Sequence, residues 1–358
     1  MYKSGYSVLL LTIIISAVGV VLAVSSLNNS IQFSKTNINI TNAIINESKA
    51  YSCVEKVLAQ LQAYRFYDGD ETFTDGCRVY TISEDSKGNK IIHTQVESAI
   101  IETKVAQINP KIIIDYQKPI STDQLDQNNP YIIDPLSLRL WLKADRAEVN
   151  NLQPVLSIDN STDDLINFAT SSSISAPTLV VNAINNRPAL RFDGVDDFLT
   201  STTSSIHTNN GLSVIVVGKA NSTSNNQTYI GKFDATNNER EWILQNDDFI
   251  ATELDTTSTA NETISFANNT NLRIIAATWA PNQLSSININ NETTINATTP
   301  AVASISATTE PIIVGASSQG SISFLNGDIA EILVYNKKLN ADELNKVRTY
   351  FDIKYNIY

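Results

Sequence analysis

Two short stretches carry carboxylates at a spacing that glycosidic-bond chemistry can use. In Glu239-Arg240-Glu241 and in Glu253-Leu254-Asp255 the acids stand two residues apart. Alternation along a strand therefore puts both members of each pair on one face. A retaining hydrolase would use them as nucleophile and helper, with a third carboxyl three residues further on as the acid. That third place holds Leu244 in one stretch and Ser258 in the other, and neither can protonate a leaving group. The two histidines, His93 and His207, fall in different halves of the chain, so no Ser-His-Asp triad can be assembled around them. Two cysteines and two histidines also supply no zinc pattern and no Cys-His nucleophile. The expectation is that the chain is not an enzyme.

Binding chemistry has better candidates. Asp193-Gly194-Val195-Asp196-Asp197 offers the oxygens that Ca²⁺ wants, with Asp193, Asp196 and Asp197 as ligands. The same residues also read as a tight turn between strands, with Asp-Gly supplying left-handed backbone and Phe192 and Phe198 pointing into a core. Asn246-Asp247-Asp248 is a second turn of this kind. For a sugar, the useful feature is an exposed aromatic plate with polar neighbours. Trp141 and Trp279 sit inside apolar strands and read as core, whereas Trp242 lies among polar residues. Trp242, Arg240 and Tyr229 are therefore the ligand-binding candidates, with Phe233 behind them. Glu331, in "GDIAEILVY", is expected to face outward while Ala330, Ile332 and Val334 face the core.

These residues must be positioned by two kinds of structure. A length of 358 residues allows two separate cores. The net charge of −12 and the lack of any Lys/Arg block exclude nucleic acid as a partner. Val8–Val24 is an uncharged apolar run preceded by Lys3, of the length that prefers a bilayer. Helical spacing continues through Ile44, Tyr51, Val54, Leu58 and Leu61, until Asp68-Gly69-Asp70 breaks it. Four β-rich runs follow, at Cys77–Ile82, Lys90–Val96, Ile101–Ile108 and Lys111–Tyr116, as in an antiparallel meander. Cys53 on the helix and Cys77 at the first strand are expected to form a disulfide, given that a membrane run argues for an oxidising destination.

The segment "KSGYSVLLLTIIISAVGVVLAVSS" resembles the N-terminus of type IV prepilins, above all the minor, pilus-tip class. The resemblance implies a leader of residues 1–5 cut after Gly5, and Tyr6 as the new, N-methylated terminus. It also implies a membrane and fibre-core helix over 6–65 within a pilin-like α+β domain, 6–118, built of that long helix and the small meander. Major pilins carry a Glu at the fifth mature position, and here that position is Leu10. An ordinary signal peptide cut after Ser25, or an uncut anchor, remains an alternative.

Residues 119–135 have the texture of a linker, and from 136 to 358 short strands alternate with Asn/Thr/Ser/Gly turns. Strands are expected at Leu138–Leu142, Thr178–Val181, Ala189–Phe192, Leu212–Val217, Glu241–Leu244, Ile274–Trp279, Ser286–Ile289, Ile312–Val314 and Ile329–Tyr335. One helix closes the chain: Asn340 is its N-cap, Glu343 completes a capping box, and Leu344, Val347 and Phe351 form its apolar stripe. "LRLWLKAD", "NNRPALRFDGVDDFLT", "LSVIVVGKA" and "GDIAEILVYNKKLNADELNKV" together resemble the laminin-G-like, concanavalin-A-like sandwich domains of bacterial surface proteins. The resemblance implies an all-β sandwich with a C-terminal helix.

Together these readings describe a surface-displayed, pilin-like adhesin subunit, held in the membrane as a precursor and then exposed on a pilus or the cell surface. Its partners would be other pilin subunits, through the N-terminal helix, and a glycan or protein of a host or neighbouring cell. No cofactor is required, and Ca²⁺ is the one that the turn at Asp193 would suit. A structural subunit or cap without ligand, and a membrane-tethered glycoside hydrolase, are the alternatives.

Overall fold

The computed structural model describes residues 42–358 apart from 44, 63–66, 68, 81, 85–88, 108–111, 122–128, 135, 163–165, 204–205, 207–209, 255–258 and 299–300. Gly5, Tyr6, most of the expected helix 6–65, and His207 thus lie outside the described residues. Among those described, no helix is long and apolar enough to cross a membrane.

The N-terminal module is a helix on a sheet. Helix α1 is described over 45–62. Its buried side chains are Ala50, Cys53, Val54, Val57, Leu58 and Leu61, spaced by three and four so that they share one face. That face packs on Cys77, Val79, Ile92, Ile101 and Val105. The sheet contains β1 (Glu71–Thr72), β2 (Arg78–Val79), β3 (Ser83–Glu84), β4 (Lys90–Val96), β5 (Ala99–Gln107) and β6 (Ile113–Ile120). All its pairings are antiparallel, in the order β1-β2-β4-β5-β6 with β3 on β4. The expected Cys53–Cys77 disulfide is present, with Cα atoms 5.7 Å apart, and it staples helix to sheet. Cys53→Ser/Cys77→Ser should cost about 3 kcal/mol through the lost loop closure. Urea unfolding monitored by far-UV circular dichroism would measure it.

The rest of the chain is a two-sheet sandwich with a helix on its back. In chain order come α2 (Pro130–Ile133), β7 (Leu138–Lys143), β8 (Ser157–Ile158), β9 (Phe168–Ala169), β10 (Thr178–Ile184), β11 (Arg187–Asp193) and β12 (Leu199–Ser201). Next are β13 (Leu212–Ala220), β14 (Thr228–Asp234), β15 (Glu239–Gln245), β16 (Asp248–Leu254), β17 (Thr259–Ser265) and β18 (Arg273–Ala280). The chain finishes with β19 (Gln283–Ile289), β20 (Ile295–Asn296), β21 (Ile313–Val314), β22 (Asn326–Tyr335) and α3 (Ala341–Tyr355). One sheet runs β10-β11-β22-β13-β18-β19-β20, with β7 also on β22; the other runs β17-β16-β15-β14-β21-β12-β9-β8. Each strand expected from sequence overlaps an observed one.

The main core lies between the sheets, around Trp242, Trp279, Phe192, Phe168, Tyr229 and Val214. A second core lies on the outer face of the β22 sheet, where Leu344, Val347, Tyr350, Phe351 and Tyr355 of α3 cover Ile215, Ile274, Ala276 and Leu333. The α3 capping box forms as expected, with the Asn340 side chain accepting from the Glu343 backbone and Glu343 accepting from the Asn340 backbone.

Because α3 covers the back of the sheet, alternation does not expose Glu331. Its carboxylate is buried, accepting from Trp141 Nε1 at 2.6 Å and Tyr355 OH at 2.7 Å and pairing with Lys354 at 2.5 Å. Lys354 also meets Asp145 at 3.0 Å. The expectation of an outward Glu331 is corrected: both faces of β22 are interior, and the carboxylate is stabilised there by charge and two donors.

The two modules are not joined as beads on a tether. Pro119 and Ile120, inside the expected linker, still pair with Ile101 and Ile100. Asn129 is buried, and the Pro130 carbonyl accepts from Tyr335 OH at 2.9 Å. Lys337 pairs with Asp134 at 2.5 Å. The Gly69-Asp70 turn, which ends the α1 region, inserts into the sandwich. The Asp70 carboxylate lies 3.6 Å from Lys143 Nζ with both side chains fully buried, and accepts from Asn129 at 2.7 Å. Lys143 also donates to the Gly69 carbonyl at 3.1 Å. Next to it, Arg146 grips Glu71 with two hydrogen bonds, at 3.0 and 2.5 Å, and Arg78 reaches the Ser161 carbonyl at 3.2 Å. Asp70 itself sits at φ 59 and Gly69 at φ 80. A Cβ at Gly69 would stand 2.3 Å from the Tyr80 carbonyl oxygen, so this turn admits only glycine there.

Candidate functional site

The ligand-binding candidates named from sequence do not form a surface. Trp242 is 0% exposed and lies between the sheets, opposite Ala251 on β16. Tyr229 is equally buried. Its polar neighbours misrepresented Trp242, because Glu241 projects to the opposite face of the strand. Arg240 is half-buried, stacks 5.7 Å over Phe233 and donates to the Ala235 carbonyl at 3.2 Å. Trp242 and Tyr229 are corrected from ligand contacts to packing residues.

Of the paired acids, Glu241 is held in a structural contact, and Asp255 lies outside the described residues. The Glu241 carboxylate is buried under the 301–312 segment, where it pairs with Lys232 at 2.5 Å and accepts from the Thr308 N–H at 2.6 Å and the Thr308 hydroxyl at 3.0 Å. Burial pushes its pKa up, against the opposing pull of Lys232 and Thr308. Such a group holds a loop in place and has no room for a substrate. His93 lies in the N-terminal sheet, 2.9 Å from Glu102. Burial would raise the Glu102 pKa, but hydrogen bonds from His93, Lys118 and Tyr116 outweigh it and bring it down to about 2.

Asp193, Asp196 and Asp197 do converge, each offering an oxygen within 4.8 Å of the others. Much of that capacity is spent on the turn between β11 and β12. Asp193 Oδ1 accepts from Val195 N at 2.8 Å and Asp196 N at 3.4 Å, while Asp197 Oδ2 accepts from Asp193 N at 2.9 Å. Gly194, at φ 81, passes so close to Asn326 that a Cβ would approach its side chain to 2.7 Å. Phe192 is fully buried, and Phe198 is half-buried and not deep in the core. With one converging oxygen each, the three carboxylates supply three of the six to eight oxygens that Ca²⁺ takes, so a metal would need further donors.

Burial, reinforced by the charges of Asp193 and Asp196 and opposed by the Asp193 N–H, lifts the Asp197 pKa from 3.8 to about 6. The folded state then keeps a proton that the unfolded chain releases near pH 4. This contribution to stability is fully present below that pH, and is lost as pH rises through about 6. The melting temperature of wild type relative to Asp197→Asn should therefore fall between pH 4 and 6. If the turn is purely structural, millimolar Ca²⁺ leaves the melting temperature at pH 7 unchanged, and a rise would identify the carboxylates as ligands.

A site that the sequence reading did not single out lies where α3 begins. A cleft of about 610 Å³ opens between the outer face of β18 and β19 and the segment leading into the helix. Its floor continues the row of Ile274 and Ala276, but beyond the cover of α3 the side chains turn polar. Thr278 meets the Ser286 hydroxyl at 2.8 Å across the strands, and Asn288 donates to Thr294 at 2.7 Å. The other wall is built by Lys337, Lys338, Asn340, Leu344 and Arg348, with Asn210 and Gln283 at the edges. Leu344 and Arg348 follow Asn340 at steps of four and so share its side of the helix. Among the described residues no aromatic ring lines this cleft, unlike the aromatic plate expected from sequence. The available signal was the change from Ile and Ala to Thr, Ser and Asn along one face of adjacent strands. Reading it required knowing how far α3 extends over that face.

No family model matches the chain, and no curated protein matches it at a significant level. Among solved structures it is similar to the binding domain of Paraclostridial Mosquitocidal Protein 1, at 11% identity and TM-score 0.42, over 61% of this chain and 52% of that one. It is also similar to the botulinum neurotoxin serotype D binding domain, at 12% identity and TM-score 0.42, over 60% and 51%. A third is Trypanosoma rangeli sialidase in complex with the inhibitor DANA, at 9% identity and TM-score 0.40, over 76% and 50%. The chain thus matches about half the length of each. Its assignment as a β-sandwich rests on its own two sheets and the core between them.

Proposed function

We propose that this chain is a surface-displayed, pilin-like adhesin subunit whose β-sandwich binds a glycan of a host or neighbouring cell. The observation that carries the binding half is the cleft beside α3. Its facing amides, hydroxyls and cations offer both donors and acceptors, as a hydroxyl-rich ligand requires, on a scaffold held rigid by two cores. Support for the assembly half comes from the apolar run that opens the chain and from the disulfide-stapled helix and meander that follow it. In this reading the precursor rests in the membrane, processing after Gly5 frees Tyr6, and the N-terminal helix joins other pilin subunits in a fibre outside the cell. The buried charges at Asp70 and Lys143 would then pass any load on the sandwich straight to the stalk.

The test combines two measurements on the native protein. Intact mass of the N-terminal peptide, from membrane and sheared surface fractions, is expected to give a terminus at Tyr6. A terminus at Ser26, or an intact Met1 found only in membranes, would overturn the pilin assignment. Binding of the detergent-solubilised full chain to a broad glycan panel is expected to be positive, and to be lost when Asn288 and Thr294 are replaced by bulky Leu. Absence of binding across the panel would leave a structural subunit.

A further inference from the structure

The cleft beside α3 is electrostatically unlike the protein that carries it. The chain has a net charge of −12, yet the charged side chains bordering the cleft are Lys337, Lys338 and Arg348. Lys337 is neutralised, lying 2.5 Å from Asp134 and 2.9 Å from Glu343. The other two have no carboxylate partner among the described residues. Lys338 donates to the Leu284 carbonyl at 3.1 Å, and burial pushes its pKa below the ordinary lysine value, with some opposing help from Glu262. Arg348 is held by the Asn290 carbonyl at 3.0 Å and by Asn345 at 3.5 Å, and its Nε finds no acceptor. Two cations at the ends of a row of hydroxyls and amides, neither in a salt bridge among the described residues, form a receptor for a ligand that is both anionic and hydroxylated. Guanidinium and ammonium bonds to a carboxylate are charge-assisted and about twice as strong as neutral ones.

We propose that the cleft takes a carboxylate-bearing saccharide, with acid groups at Lys338 on one end of the row and at Arg348 on the other, and its hydroxyls along Thr278, Ser286, Asn288 and Thr294. This rests on the glycan-binding reading above and narrows it to acidic sugars. A neutral glycan would leave both cations without a counter-charge. A small inorganic anion would leave the polar floor unused.

The test uses the detergent-solubilised full chain and isothermal titration with hexagalacturonate, a hyaluronan hexamer and a sialylated trisaccharide, each beside its methyl ester. The expected result is that at least one acid binds and that its ester binds at least tenfold more weakly. Lys338→Gln and Arg348→Gln should each weaken the acid by about tenfold, one charge-assisted hydrogen bond, and weaken the ester by a smaller factor. The Lys338 side chain makes an exposed hydrogen bond to the Leu284 carbonyl of β19, so its replacement keeps the fold if Arg348→Gln does not. Equal binding of acid and ester, untouched by Lys338→Gln, would overturn the inference and leave the glycan reading standing. Competition by sulfate or acetate at the same concentration as the saccharide would overturn it in favour of a simple anion site. If no acidic or neutral saccharide binds, the glycan reading falls and this inference with it.

Discussion

Asp70→Asn should lower the stability of the intact chain by about 3–5 kcal/mol and split its unfolding into two steps. The wild-type carboxylate and the Lys143 ammonium are both fully buried, 3.6 Å apart, at the contact between the N-terminal sheet and the sandwich. Removing one charge strands the other in a medium that cannot solvate it, and that cost dominates the lost attraction. Asn129 and the Gly69 carbonyl remain beside the site, but neither carries a compensating negative charge. The companion variant Lys143→Met provides the discriminating measurement. Alone it should be nearly as harmful, because it removes the cation that faces the buried Asp70 carboxylate. The double variant should recover most of the loss, since two apolar or neutral groups of similar volume need no solvation. All three tryptophans, Trp141, Trp242 and Trp279, belong to the sandwich. Urea unfolding followed by tryptophan fluorescence therefore reports the sandwich, and limited proteolysis within residues 63–128 reports undocking. Additive effects in the double variant would show that the contact is not a coupled pair.

The second large effect is expected at Glu331. Glu331→Ala should cost about 3–5 kcal/mol, because it orphans the Trp141 and Tyr355 donors and takes from Lys354 one of its carboxylates. Burial, together with the neighbouring Glu331, holds the Tyr355 pKa well above the ordinary tyrosine value, so its hydroxyl stays a donor throughout the working range. Glu331→Gln retains the shape and can still accept one hydrogen bond, so it should fall between wild type and alanine. The loss should be local at first: amide hydrogen exchange is expected to accelerate across α3 and β7 before the inter-sheet core is affected. Uniform acceleration throughout the sandwich would mean that the helix has no separate dependence on this carboxylate. Loss of α3 would also remove one wall of the polar cleft, so saccharide binding should weaken in step with helix protection.

What could be read from the sequence alone is what depends on neighbours along the chain. The α3 cap was legible because Asn340 and Glu343 satisfy backbone donors within one turn. Strands such as Lys90–Val96 and Leu212–Val217, the latter extended to Ala220 in the fold, were legible from short apolar or alternating runs, and the Asp193-Gly194 turn from its own backbone chemistry. The Cys53–Cys77 pair followed from there being only two cysteines, together with the destination expected from the apolar run. None of these requires knowledge of which distant surfaces meet.

Tertiary structure alone decided which side of each element counts as inside. Trp242 was read from its flanking charges, but a strand sends neighbouring side chains to opposite faces, and the second sheet closes over the tryptophan. Glu331 was read as outward because one face of β22 was already core; α3, folding back from the chain's end, makes the other face core as well. The segment around Asp134 had the composition of a tether, yet Lys337, some 200 residues later, holds it to the sandwich. The cleft arises in the same way: its floor and wall come from strands and a helix separated by a long stretch of chain, and its polarity begins where the helix ceases to cover the sheet. Local chemistry sets the elements, whereas burial and charge pairing are properties of the assembled surfaces, which this chain brings together only when it folds.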